Sequence, residues 1–176
     1  PYSLKKITDL NPSVILFYGW SWIIPKELYN NFNCIILHPS PLPRYRGGSP
    51  IQHQIIAGET KSAVTLLKVN EQIDRGVIYS QTKFSLEGNL KDIFRQIITI
   101  GTTDTVSVLD GLSKKTIKPF LQDESKATFF SRRSPKESEL VIKDFKTKSA
   151  KEIFNFIRSL EDPYPNAFFK CKDGGK

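Results

Sequence analysis

Two short apolar runs constrain this chain most: VILFYG at 14–19 and CIILH at 34–38. Neither alternates apolar and polar residues, so each reads as a strand buried on both faces, as in a parallel sheet. Between them PKELYNNF opens with Pro25, a residue suited to a first helical turn, and reads as a short helix. SLKKITDL (3–10) reads as a helix that stops before Pro12, and SPIQHQIIAGE as a helix closed by Gly58. AVTLLKV (63–69) and VIYSQTKFSL (77–86) are two more strands, joined by NEQIDRG. The stretch 89–112 is helical, with Ile93, Ile97 and Ile100 on one face. Strands alternating with helices predict an α/β fold with a doubly wound, mostly parallel, Rossmann-like sheet. In such sheets ligands bind beyond the carboxyl ends of the strands.

The remainder has a different character. Residues 113–146 form an irregular, basic connector, and 147–176 hold a helix and the start of a small β unit, EDPYPNAFFKCKDGG. The helix is expected over 149–160, with Ser149 and Glu152 as a capping box and an apolar stripe of Ala150, Ile153, Phe154, Ile157 and Leu160. Residues 113–176 carry 15 of the 26 basic side chains against 9 of the 18 acidic ones, so most of the net charge of +8 lies there. That balance suits an anionic partner such as tRNA, a nucleotide or a phosphate, and equally an ordinary solvated surface. No apolar run approaches the roughly 20 residues of a membrane span, and no signal peptide is visible. Cys34 and Cys171 lie far apart in apolar stretches, which predicts a reduced, cytoplasmic protein with both thiols as small core residues. The chain lacks any Met and ends in the first half of a hairpin, so a piece of a longer protein is expected.

Chemistry concentrates where the second strand ends. His38 leads into HPSPLPRYRGGSP, whose four prolines stiffen the backbone and whose two glycines admit close approach. Ser40 can donate or accept, and Arg44 and Arg46 can meet an anion. Further on, Asp74 lies in the loop between two strands, shortly before Gly76. Taken singly, His38 reads as a structural histidine and Asp74 as a turn residue. Brought together at one crevice, they can share proton transfer. His38 and His53 are the only histidines, and the sequence shows no metal-ligand cluster.

LHPSPLPRYRGGSPIQ followed by IDRGVIY resembles the formyltransferases that use 10-formyltetrahydrofolate. That family includes methionyl-tRNA formyltransferases and enzymes acting on nucleotide-linked amino sugars. Its pattern is Asn-x-His-x-Ser-Leu-Leu-Pro, with an Asp-x-Gly some three dozen residues later. YGWSWIIPKEL and FIRSLEDPYPNAFF resemble the flanking segments, so the likeness covers nearly the whole chain.

The resemblance implies a catalytic domain over 1–112 that lacks its first strand-helix units. It implies a folate donor lying along Ser40, Pro41, Leu42, Pro43 and Gly48, with its pterin reaching toward Asn70–Ile73 and toward Trp20, Ser21 and Trp22. His38 would polarise the formyl oxygen or accept a proton, and Asp74 would hold His38 or take the proton from the attacking amine. The expected acceptor is a nucleotide-linked amino sugar, with methionyl-tRNA as the alternative; homodimerisation stays open.

One position departs from the pattern. Ile36 stands where the family has its asparagine, two residues before His38 and therefore on the same face of the strand. Isoleucine donates no hydrogen bond, and an oxyanion donor contributes about 10²–10³ in kcat. A weakened transferase, a changed acceptor, and a protein that binds folate or a sugar nucleotide without catalysis therefore all remain readings of this sequence.

Overall fold

A computed structural model describes residues 3–171. In chain order the elements are α1 (Leu4–Leu10), β1 (Ile15–Phe17), α2 (Lys26–Asn31), β2 (Cys34–His38), β3 (Arg46–Gly47), α3 (Pro50–Ile56), β4 (Lys61–Lys68), β5 (Ile78–Ser85), α4 (Leu90–Ser113), β6 (Phe129–Phe130), α5 (Ile142–Thr147) and α6 (Ala150–Arg158). The class is the expected α/β one.

The four longest-paired strands lie in the order β1-β2-β4-β5. Only β1 and β2 run parallel; β2–β4 and β4–β5 are antiparallel, so this sheet is more mixed than the expected mostly parallel ladder. For the β4–β5 pair the cause lies in the connection. β4 and β5 are joined by residues 69–77 alone, too few for the crossover of about a dozen residues that a parallel pair needs.

Alternation along the strands assigns two faces. Ile35 and Leu37 of β2, with Val64 and Leu66 of β4, face α4, where Ile93, Ile97 and Val108 meet them. Cys34, Ile36 and His38 lie on the opposite face, where Ile36 packs with Leu42, Leu67 and Ile78. Burial on both faces explains why these strands carry no polar alternation. Gly101 brings α4 close to the sheet: a β-carbon there would sit 2.6 Å from the Leu37 side chain.

The connector is not irregular throughout. Phe120 pairs with Ile78 at the edge of the sheet, and β6 pairs in parallel with β3. α5 also forms inside it. α6 has its capping box, with Glu152 Oε2 accepting from the Ser149 amide at 2.8 Å. The buried face of α6 differs from the expected stripe: Phe156 is buried, while Phe154 and Ile157 are exposed; Leu160, just past the helix, is buried as expected. The buried side is bounded by Arg158, whose Nη1 donates to the carbonyls of Leu86 (2.7 Å) and Gly88 (3.1 Å), and by Phe156, which packs with Leu140 and Leu160.

Cys34 is buried as expected, but Cys171 is exposed. Of the C-terminal β unit, the described residues contain a single bridge between Glu139 and Phe168; residues 172–176 lie outside them. Among the described residues no helix is long and apolar enough to cross a membrane.

Candidate functional site

His38 ends β2 beneath a loop whose polar groups hold one another. Ser40 Oγ donates to the Arg44 carbonyl at 2.8 Å, and Thr65 Oγ1 donates to the Ser40 carbonyl at 2.7 Å. Gln81 Nε2 donates to the Leu42 carbonyl and to Thr65 Oγ1, both at 3.0 Å. The loop is thereby a rigid roof over the strand end. His38 Nε2 meets the Tyr45 carbonyl at 2.8 Å. A carbonyl can only accept, so Nε2 carries the hydrogen and the other ring nitrogen faces elsewhere. Nδ1 lies 3.5 Å from Asp74 Oδ2, beyond hydrogen-bond range, and the two side chains are only 7% and 9% exposed.

Asp74 comes from the β4–β5 loop in the left-handed region, at φ 54°. Few side chains adopt that conformation without support. Support comes from two directions. The Gly47 amide donates to Asp74 Oδ2 at 2.8 Å. Glycine is required there: φ is 92°, and a β-carbon would meet the Phe130 carbonyl oxygen at 2.2 Å. Gln122 Nε2 donates to the carbonyls of Asp74 (2.8 Å) and Gly76 (2.9 Å). The one glycine of the β4–β5 loop, Gly76, lies so close to β4 that a β-carbon would overlap the Lys68 carbonyl oxygen at 1.7 Å. The Asp-x-Gly spacing is thus the steric condition for the hairpin to close with Asp74 turned toward His38.

The two arginines offered by the loop are already engaged. Arg46 is 4% exposed and bonds Gln122 and Glu124. Arg44 pairs with Glu59, which also accepts from the Tyr45 hydroxyl. Tyr45 in turn stacks on Phe130 at 5.2 Å, and the His53 ring packs on Phe130 as well, at 4.6 Å. Arg46 is therefore not left for an anion as the sequence suggested, whereas the Arg44 guanidinium is half exposed beside Glu59. Arg46 and Arg75 hold the Glu124 carboxyl down to about 2.

The structure brings His38, Asp74 and the Ser40–Pro43 loop together. Ser40 is enclosed and Leu42 is buried, so these two build the loop, while Pro41, Pro43 and Gly48 keep partial exposure. Trp20 stacks edge-on between Phe17 and Trp22, each pair at 5.5 Å, and is exposed. The Ser21 carbonyl accepts from Arg132 at 3.4 Å. The Asn70 side chain accepts from the Gln72 amide and shapes its own loop. Ile73 is half exposed and lines a cleft of about 350 Å³ with Arg46, Gln72, Arg75 and residues 127–129. Sequence reasoning missed Tyr45, Gly47 and Gln122. The first two act through backbone atoms, and Gln122 stands in a connector without periodicity.

Residues 3–91 match the model of a family described as formyl transferase. A methionyl-tRNA formyltransferase from Wolbachia pipientis subsp. Culex pipiens is 31% identical over 98% of this chain and 58% of that protein. A solved methionyl-tRNA formyltransferase from Clostridium thermocellum is 36% identical, with a TM-score of 0.84 over 97% of this chain and 72% of that one. A 4-N formyltransferase from Francisella tularensis superposes with a TM-score of 0.84 over 100% of this chain and 74% of that one, at 23% identity, a likeness of fold alone. The chain spans little more than half the length of the curated relatives it matches.

Proposed function

Because this chain belongs to the formyl transferase family, we propose that it carries the formyl-transfer centre of an enzyme using 10-formyltetrahydrofolate and the amine of methionyl-tRNA. The observation that carries this reading is the placement of His38 Nδ1 3.5 Å from Asp74 Oδ2 at the carboxyl end of a strand. Those residues come from separate segments, and no core requirement calls for an enclosed imidazole beside an enclosed carboxylate.

The chemistry follows from what each group can do. The folate donor supplies an electrophilic formyl carbon. The attacking nitrogen must shed a proton, and the gap between Nδ1 and Asp74 Oδ2 is where this chain can take it. The Tyr45 carbonyl fixes the ring tautomer and the Gly47 amide fixes the carboxylate, so neither group reorganises during transfer. The rigid Ser40–Pro43 loop, together with exposed Trp20, Trp22 and Ile73, offers backbone edges and flat apolar surface fitting a planar heteroaromatic ring.

The sequence pointed first to a nucleotide-linked amino sugar as acceptor. The balance moves to methionyl-tRNA, because relatives 30–35% identical over nearly the whole chain bear that name, whereas likeness to the sugar enzyme speaks to the fold alone. A second reading, folate binding without transfer, is favoured by Ile36, which removes an amide donor from the face that bears His38.

The test is turnover of 10-formyltetrahydrofolate by the full-length protein with methionyl-tRNA, amino-sugar nucleotides, or no acceptor. Turnover with methionyl-tRNA, abolished by His38→Ala and by Asp74→Ala and falling steeply with salt, is the expected result. Turnover with a sugar nucleotide alone would overturn the acceptor. Folate binding without turnover on any acceptor would overturn the transferase.

A further inference from the structure

The segment Tyr45-Arg46-Gly47 touches both members of the His38–Asp74 pair, and one residue of the connector ties it down. The Tyr45 carbonyl holds His38 Nε2, and the Gly47 amide holds the Asp74 carboxylate. Between them, the Arg46 guanidinium points into the connector. Its Nε and Nη2 donate to Gln122 Oε1 at 3.2 and 2.7 Å, and its Nη1 and Nη2 donate to Glu124 at 2.9 and 2.7 Å. The other end of the same Gln122 carboxamide donates to the carbonyls of Asp74 and Gly76. Arg75, between those two residues, donates to Glu124 at 2.7 Å. Every hydrogen-bonding atom of the Gln122 side chain is therefore spent on linking the segment that holds His38 to the loop that carries Asp74.

The connector is anchored close by. Phe120 makes two backbone bonds with Ile78, at 2.9 and 3.0 Å, where β5 begins. That bridge delivers Gln122 to the hairpin loop from outside the sheet. Without the carboxamide, the described structure leaves the loop carbonyls of Asp74 and Gly76 without that donor, and the left-handed backbone of Asp74 loses a support.

We propose that Gln122, oriented by Arg46 and Glu124, is a positioning residue that sets the separation of His38 and Asp74. The proposal rests on the formyl-transfer reading for its kinetic consequence. It does not rest on it for its structural one, because the Gly47 amide reports where the Asp74 carboxylate lies whether or not the protein turns over.

The experiment uses the full-length protein and Gln122→Met, which keeps the length of the side chain and removes both polar ends. Kinetics with 10-formyltetrahydrofolate and methionyl-tRNA are measured in the wild-type and Asp74→Asn backgrounds. In parallel, the proton shift and exchange rate of the Gly47 amide are followed by NMR. A displaced reacting group costs about 10²-fold in rate, so kcat is expected to fall by about that factor while KM for the folate stays within about threefold. In the Asp74→Asn background Gln122→Met is expected to add nothing, because two residues acting through one group are not additive. The Gly47 amide should shift upfield and exchange faster. Losses that multiply in the double variant, or an unchanged Gly47 amide, would overturn the proposal. If the wild type turns over no acceptor, the formyl-transfer reading fails and the Gly47 amide alone decides the positioning role. If Gln122→Met does not fold, Gln122→Asn, which keeps both polar ends but shortens their reach, is read by the same two measurements.

Discussion

Replacing Ile36 by asparagine sets a loss of packing against a gain of chemistry, and both sides can be estimated. Ile36 is half-buried and packs with Leu42, Leu67 and Ile78 on the face of β2 that bears His38. Full burial of an isoleucine stabilises by about 1.5–3 kcal/mol, so half burial is worth about 1 kcal/mol. An amide left partly unpaired at that place costs about 1–3 kcal/mol more. The sum, about 2–4 kcal/mol, lowers Tm by roughly 5–15 °C in a chain of this size. On the other side, one oxyanion donor contributes about 10²–10³ in kcat, or about 2.7–4 kcal/mol. Ile36→Asn is therefore expected to yield a less stable but faster enzyme, with kcat raised by about 10²-fold in single-turnover assays at 25 °C. Thermal unfolding followed by circular dichroism establishes that the variant is folded at the assay temperature. A folded variant whose kcat is unchanged or lower would refute the reasoning, and would mean that the site has been rebuilt around isoleucine.

Two further expectations concern ionisation. Arg46, and after it Arg75, hold the Glu124 carboxyl down to about 2 from an ordinary value of 4.5. A depressed carboxyl contributes stability above its unfolded value, so this contribution is complete above pH 4.5 and is lost as pH falls toward 2. Denaturant midpoints of Glu124→Gln should lie below wild type at pH 7 and converge with it near pH 2; a gap independent of pH would contradict the assignment. Burial pushes the Cys34 thiol up to about 11, whereas Cys171 is exposed. Ellman's reagent should therefore label one thiol quickly in the native protein and the second only on unfolding, and two fast thiols would show that Cys34 is reachable.

Much of the centre was legible before any fold was known. His38 follows a strand with no polar alternation, and such a strand must end at the edge of a covered sheet. The Asp-x-Gly of the next hairpin also carried its signal, because only glycine fits against Lys68 at that spacing. The contacts that hold the two residues were not legible. Tyr45 and Gly47 act through a carbonyl and an amide, groups nearly every residue has, so no side chain announces the role; the glycine at 47 marks a close approach to Phe130 and not the carboxylate its amide holds. Gln122 lies far along the chain from Asp74, in a stretch without hydrophobic period, and the Phe120–Ile78 bridge and the Arg46 guanidinium bring it there.

The same division holds across the fold. Local chemistry determined the strands, the caps of the helices and the candidate acid-base pair, because apolar runs, Ser-x-x-Glu and Asp-x-Gly act over a few residues. The short β4–β5 connection already excluded a parallel pair there, but tertiary structure decided that β2 and β4 run antiparallel, since an apolar run of strand length has no direction and residues 39–60 are long enough for either. It also decided which side of α6 is buried, since the Leu86 and Gly88 carbonyls hold Arg158 at one edge of that side and Leu140 packs on Phe156 at the other. And it decided that Arg46, which looked like an anion ligand, is a strut: a guanidinium takes whichever acceptors the fold brings within reach, and here these are Gln122 and Glu124.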